Sequence, residues 1–284
     1  MEAAEYVTDA PVATSVHLAM ALRKPLLIEG HAGVGKTEIA KVMARMLETN
    51  LIRLQCYEGL DVSTALYEWN YQKQLLHIKL AETSTRPVGE REHEIFSEAF
   101  LLRRPLLQAI SQERSPVLLI DEIDRADEEF EAFMLEIFAE WQVTVPEIGT
   151  IKAAHPPFVI LTSNRTRELS DALRRRCLYL WIDYPDFEKE VRIVERKVPG
   201  VNARLAEQVG RFMEALRRVR LSKVPGVAET LDWAQALVSL HADHLNEELV
   251  QETLGCVLKD ADDIRRFRAE VSKTGLAAFV PSAG

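Results

Sequence analysis

The residues with the clearest chemical spacing are Gly30-His31-Ala32-Gly33-Val34-Gly35-Lys36-Thr37, which fit G-x-x-x-x-G-K-[ST] in full. They follow an apolar run, Leu26-Leu27-Ile28, and precede a stretch of helical spacing at Ile39, Val42, Met43, Met46 and Leu47. Glycine in such a turn lets the backbone wrap a phosphate with its N–H groups pointing inward. The N-terminus of the next helix adds partial positive charge. Lys36 can reach terminal phosphates, and Thr37 offers a hydroxyl to Mg2+. The expected contact set for a nucleotide runs from Gly30 through Thr37 and on to Glu38. The alternative is an ordinary Gly-rich turn, and the intact pattern in a strand–turn–helix context argues against it.

A second pattern is Val117-Leu118-Leu119-Ile120-Asp121-Glu122, an apolar strand that ends in two carboxylates. Ligands of parallel α/β sheets bind at the C-terminal ends of the strands. Asp121 suits Mg2+, directly or through water. Glu122 suits a general base that orients and deprotonates an attacking water. Asp124, Asp127, Glu128 and Glu129 follow closely, so a solvated acidic turn is the competing reading. These later acids read as a helix N-terminus, which favours negative charge.

Alternating strands and helices must position these groups. Short apolar runs predict strands near 26–30, 50–56, 117–121, 158–164 and 178–182, and helical spacing marks residues 12–22, 99–110 and 127–141. Residues 58–94 read as an insertion or surface excursion, and 141–154 as a β-hairpin. From Glu188 onward only helical spacing is visible, over 190–197, 201–219, 230–241 and 247–267. The expected fold is α/β, a parallel-sheet αβα core over residues 1–186 followed by a smaller all-α lid over 187–284.

Composition bounds the partners. The 284 residues are 47% hydrophobic and 28% charged, an ordinary globular mixture with a net charge of −9. The acidic balance, with a pI near 5.4, argues against a protein built to coat nucleic acid or an anionic membrane. Cys56, Cys177 and Cys256 are far apart and form no C-x-x-C pair. That disfavours a disulfide framework or zinc site and fits a reducing cytoplasm. The N-terminal residues lack the basic-then-apolar order of a secretory signal, and no apolar run has the length of a membrane span. Membrane association would then be peripheral, through partners.

The order of phosphate-wrapping turn, apolar strand ending Asp-Glu, apolar strand ending Thr162-Ser163-Asn164, and arginines resembles the AAA+ ATPases, over about residues 20–185 with a compatible helical lid after it. The resemblance implies a P-loop NTPase fold, ATP/ADP with Mg2+, and hexameric rings with each ATP between two subunits. Asn164 matches the sensor-1 position, which places the attacking water with Glu122. The segment Ala172-Leu173-Arg174-Arg175-Arg176-Cys177 resembles the one that carries the arginine finger. A guanidinium delivered in trans neutralises charge that builds on the γ-phosphate. Arg176 matches by position, and Arg174 lies close behind.

Within AAA+, the likeness is to the MoxR group, on the segment from Glu58 to Tyr71 and on the helix and hairpin that return directly to the sensor strand. The wording of EGLDVSTALYEWNYQKQLL and LSDALRRRCLYLWIDYP looks like the ATPase that accompanies the molybdenum–copper carbon monoxide dehydrogenase. That resemblance implies a maturation chaperone, a von Willebrand factor A-domain partner and a metalloenzyme client. The group usually carries a sensor-2 arginine at the start of a lid helix. Here Glu229 or Thr230 stands in that place, with Arg217 or Arg218 as substitutes from the preceding helix.

Tyr67, Trp69 and Tyr71 admit a client-gripping surface, but their spacing better fits packing. By analogy the insert and the 141–154 hairpin face the ring pore. His31 reads as solvent-facing. His241 and His244 lack the partners of a metal site. An AAA+ motor on nucleic acid and a non-hydrolysing nucleotide-dependent binding module are the alternative functions. Acidity weighs against the first, and Glu122 against the second.

Overall fold

Runs dominated by apolar residues become the main strands. β1 (Leu26–Gly30), β2 (Leu51–Gln55), β5 (Val117–Asp121), β8 (Phe158–Ser163) and β9 (Leu178–Ile182) form one sheet in the order β2-β5-β8-β1-β9. The β2·β5, β5·β8 and β1·β8 pairings are parallel. Every residue of β1 and β5 is buried, as expected of a parallel sheet covered on both faces, whereas the outer strand β2 alternates. The computed structural model describes residues 1, 6–80 and 95–279.

The chain divides into two compact units. An αβ unit holds Ala10–Glu29 and Thr37–Leu180, and a mainly helical unit holds Met1–Asp9, Gly30–Lys36 and Trp181–Gly284.

In the αβ unit, α1 (Ala10–Leu22) precedes β1, and α2 (Lys36–Met46) begins at the last residue of the phosphate-type turn. The stretch expected to be an excursion has order of its own, with α3 (Val62–Leu66), β3 (Tyr67–Trp69) and α4 (Tyr71–Leu80). The rest of it, residues 81–94, lies outside the described residues. β3 pairs antiparallel with β4 (Leu101–Arg103), followed by α5 (Pro105–Ile110). The helix expected over 99–110 is therefore realised only in its second half. Pro105 disfavours helical geometry in the residue before it, and Arg104 is extended at φ −81°, ψ 170°. Trp69 is buried edge-on to Phe96, whereas Tyr71 is 62% exposed, so the aromatic trio does not share one packing face.

α6 (Glu128–Glu140) starts at Asp127, whose side chain accepts from the Phe130 N–H at 2.8 Å. The hairpin expected next is present as β6 (Gln142–Val145) and β7 (Gly149–Lys152), turned at Gly149 with φ +104°. α7 (Asp171–Arg176) leads into β9.

The helical unit contains α8 (Phe187–Lys197), α9 (Ala203–Arg217), α10 (Val227–Ser239), α11 (Glu247–Val257) and α12 (Ala261–Thr274). Side chains of Asp186, Asn202, Asn246 and Asp260 cap four of them. Their apolar faces bury Phe212, Trp233 and Phe267 completely, and the Trp233 indole donates to Thr253 Oγ1 at 2.7 Å. The helix expected over 247–267 is two helices. Leu258 is extended, and Asp260 restarts the chain by accepting from the Asp262 and Asp263 N–H groups.

Candidate nucleotide site

In the helical unit the turn from Gly30 to Lys36 has the geometry its glycines permit. Gly33 and Gly35 take φ +74° and +91°, a region that disfavours side chains. The Lys36 side chain is folded under the turn, with Nζ donating to the carbonyls of Gly30 at 2.8 Å and His31 at 2.7 Å. A lysine aimed at its own loop carbonyls sits where a bound phosphate chain would compete for its three donors. His31 is not simply solvent-facing. Its ring stacks on Tyr184 at 4.6 Å and 9° and meets Trp181 edge-on at 5.6 Å.

The N-terminus of α10 packs on this turn. Val227 and Ala228 donate their N–H groups to the Gly33 carbonyl at 2.9 and 3.2 Å. Gly226 is required there, because a Cβ would lie 2.7 Å from the Ala32 oxygen and 2.9 Å from Gly33. Glu229, one of the two residues expected in place of a lid arginine, accepts from the Gly226 N–H at 2.9 Å and so caps its own helix. The two arginines considered as substitutes are spent elsewhere. Arg217 forms a buried pair with Glu190 and donates to the Pro225 carbonyl, and Arg218 pairs with Glu214. Thr230 donates to Glu190 Oε1 at 2.6 Å.

In the αβ unit, the acids stand where the sequence places them, at the end of β5. Asp121 is buried, and its Oδ1 accepts from Thr37 Oγ1 at 3.1 Å and Thr162 Oγ1 at 2.5 Å. Arg53 lies 2.6 Å from Oδ2. Glu122 has φ 57°, ψ 50°, a left-handed backbone costing about 1–2 kcal/mol for a residue with a Cβ. Its N–H donates to Thr162 Oγ1 at 2.9 Å. Its carboxylate is gripped from two sides, Oε1 by Asn164 Nδ2 in the loop after β8 at 3.3 Å and Oε2 by Gln55 Nε2 on β2 at 3.2 Å, with Arg125 3.4 Å away.

Asp124 does not serve a helix N-terminus; that role belongs to Asp127. The buried Asp124 carboxylate accepts from the N–H groups of Asn164 and Thr166 at 3.2 and 2.8 Å, and from the Thr166 hydroxyl at 2.7 Å. It ties down the loop that carries Asn164. Sequence reading missed Asp124, Thr162, Arg53 and Gln55 as site-building residues. The available signal was a hydroxyl inside an otherwise apolar strand at Thr162, and polar residues two apart on β2.

The donor set fits Mg2+. A threonine hydroxyl and a carboxylate, 3.1 Å apart, are hard oxygen donors, and Mg2+ is commonly held by one or two such groups with phosphate oxygens and water completing its shell.

The expected finger residues have partners in their own chain. Arg174 reaches the buried Glu29 carboxylate at 3.3 Å, where Tyr179 also donates at 3.0 Å. Arg176 donates to the Leu135 carbonyl at 2.5 Å. Burial, reinforced by the charges of Asp121, Asp124 and Glu122, pushes the Cys56 thiol up to about 12.

A family model for the AAA domain (dynein-related subfamily) matches residues 25–177, more than half of the chain. The chain belongs to this AAA+ ATPase family. An uncharacterized protein of Staphylococcus aureus (strain bovine RF122 / ET3-1) is 26% identical over 239 residues, covering 82% of each chain. An uncharacterized protein of strain NCTC 8325 / PS 47 is 25% identical over the same span. Among solved structures, the Thermotoga maritima RuvB Holliday junction branch migration motor has a TM-score of 0.52 and 21% identity, over 95% of this chain and 76% of that one. A point variant of the same RuvB gives a TM-score of 0.54 at 20% identity, over 95% and 77%. At these identities the likeness is one of fold. With the five-stranded sheet, its flanking helices and the helical region that follows, the architecture is that of an AAA+ P-loop NTPase. Among the described residues no helix is long and apolar enough to cross a membrane.

Proposed function

We propose that this chain is a Mg2+-dependent ATPase of the MoxR type, a ring-forming chaperone that acts on a metalloenzyme. The observation that carries the ATPase reading is the paired grip at the end of β5, Thr37 on Asp121 and Asn164 on Glu122. Thr37 follows Lys36 directly in the chain, so the phosphate-wrapping turn leads straight into the metal-binding hydroxyl. Lys36 would bind the terminal phosphates, and Thr37 and Asp121 would hold the metal. When bound there, Mg2+ would supply charge neutralisation at the phosphate oxygens. Glu122 takes the proton of the attacking water, and Asn164 fixes that carboxylate and the water.

The chaperone reading rests on sequence likeness to the MoxR group and, within it, to CoxD. The client would be an apo metalloenzyme such as carbon monoxide dehydrogenase, the partner a von Willebrand factor A-domain protein, and the compartment the cytoplasm. The metal-cluster chemistry belongs to the client. In a hexameric ring the nucleotide lies between subunits, with Arg176 or Arg174 delivered in trans. Arg176 is the better placed, because its bond to the Leu135 carbonyl is exposed whereas Arg174 is engaged with buried Glu29. The net charge of −9 gives no support to a nucleic-acid motor.

The test is ATP hydrolysis against protein concentration, with sedimentation alongside, for the parent and Arg176→Ala. The ring reading expects turnover per chain to rise with assembly and Arg176→Ala to lose it while still binding ATP. Full turnover by a monomer, with Arg176→Ala silent, contradicts it.

A further inference from the structure

Arg53 and Gln55 lie two residues apart on β2 and so point to the same side of the strand. β2 runs parallel to β5 with Gln55 opposite Asp121. One terminal nitrogen of Arg53 serves two acceptors, Asp121 Oδ2 at 2.6 Å and Gln55 Oε1. The other end of the Gln55 amide donates to Glu122 Oε2 at 3.2 Å. A single guanidinium thus connects the metal carboxylate to the base carboxylate through one amide.

We infer that Arg53 is a positioning residue that competes with Mg2+ for Asp121. The inference rests on the reading of this site as one for Mg2+ and nucleotide. Asp121 has a side chain only 6% exposed, and a carboxylate so buried needs a counter-charge. Arg53 supplies one. Two cations on one carboxylate edge repel each other, and the field is strong where solvent is excluded. Arg53 is the partner that can leave, because its side chain is 54% exposed and regains water cheaply. Its departure removes the donor to Gln55 Oε1.

The test is binding of the fluorescent nucleotide mant-ADP by the full chain at a series of Mg2+ concentrations, for the parent, Arg53→Gln and Arg53→Lys, with melting curves to confirm folding. Arg53→Gln should lower the half-saturating Mg2+ concentration by roughly threefold to fivefold, the scale of a half-exposed ion pair. Its metal-free mant-ADP affinity should stay within about twofold of the parent's. Arg53→Lys, which keeps the charge but lacks the fork, should fall between the two. An unmoved or higher Mg2+ midpoint in folded Arg53→Gln overturns the inference and leaves the ATPase reading standing. So does an equal shift of metal-free affinity. If the parent binds no mant-ADP with or without Mg2+, both fall together.

Discussion

The Asn164 side-chain amide donates to Oε1 of Glu122 at 3.3 Å, which links the loop after β8 to the end of β5 at the carboxylate proposed as the base. Glu122 is further held by a left-handed backbone and by Gln55, so its carboxylate is preorganised rather than free to sample rotamers. Asn164→Ala should therefore lower kcat by about 100- to 1,000-fold, the scale of losing one preorganised donor, with nucleotide affinity little changed. Steady-state turnover and equilibrium binding, measured on the same preparation, check this split.

The start of α10 is held just as closely. Gly226 leaves no room for a methyl group against the Ala32 carbonyl and Gly33. Gly226→Ala should force the start of α10 off the phosphate-wrapping turn at a cost of about 1–3 kcal/mol. The expected readout is a lower melting temperature together with weaker nucleotide binding. A variant identical to the parent in both would show that this packing carries no energy.

Arg217 is read as structural. Its guanidinium is 9% exposed and fixed between Glu190, the Pro225 carbonyl and Thr230. Removing one partner of a buried pair strands the other charge, so Arg217→Met should cost about 3–5 kcal/mol. Chemical denaturation measures this directly. A fully stable Arg217→Met with reduced turnover would instead give Arg217 a role at the nucleotide.

Stability should also depend on pH through Asp263. Burial opposes the charge of this carboxylate, but the N–H groups of Ser222 and Lys223, the Ser222 hydroxyl and Arg266 outweigh it and hold the pKa below the usual 3.8. The ionised form thus stabilises the fold above the unfolded value, and that contribution disappears as pH falls through the lower folded value. Asp263→Asn should melt below the parent at neutral pH, with the gap closing below about pH 4. Thermal melts from pH 7 down to pH 3 follow the two curves.

Much of the site was legible because its chemistry is local in sequence. The turn from Gly30 to Thr37, the acids after an apolar strand and Asn164 after another are short patterns whose positions follow from strand direction. The contacts of Arg53 and Gln55 were not legible. They depend on the register of β2 against β5, and nothing in Leu51-Ile52-Arg53-Leu54-Gln55 states which strand lies alongside. Asp124 was misread for a related reason, since an acid near a helix start looks alike whether it caps that helix or reaches a loop some 40 residues later in the chain. In the helical unit, periodicity ran through the break at Leu258–Asp260 because apolar spacing continues on both sides. The local sign was Asp260, a residue type that favours helix starts.

The most direct measurement is single-turnover and steady-state ATP hydrolysis by Glu122→Gln beside nucleotide and Mg2+ binding. The account expects binding within a few-fold of the parent and hydrolysis lower by about 10²–10⁴, the contribution of a general base. Hydrolysis at the parental rate, with binding intact, would contradict it and remove Glu122 from the chemistry.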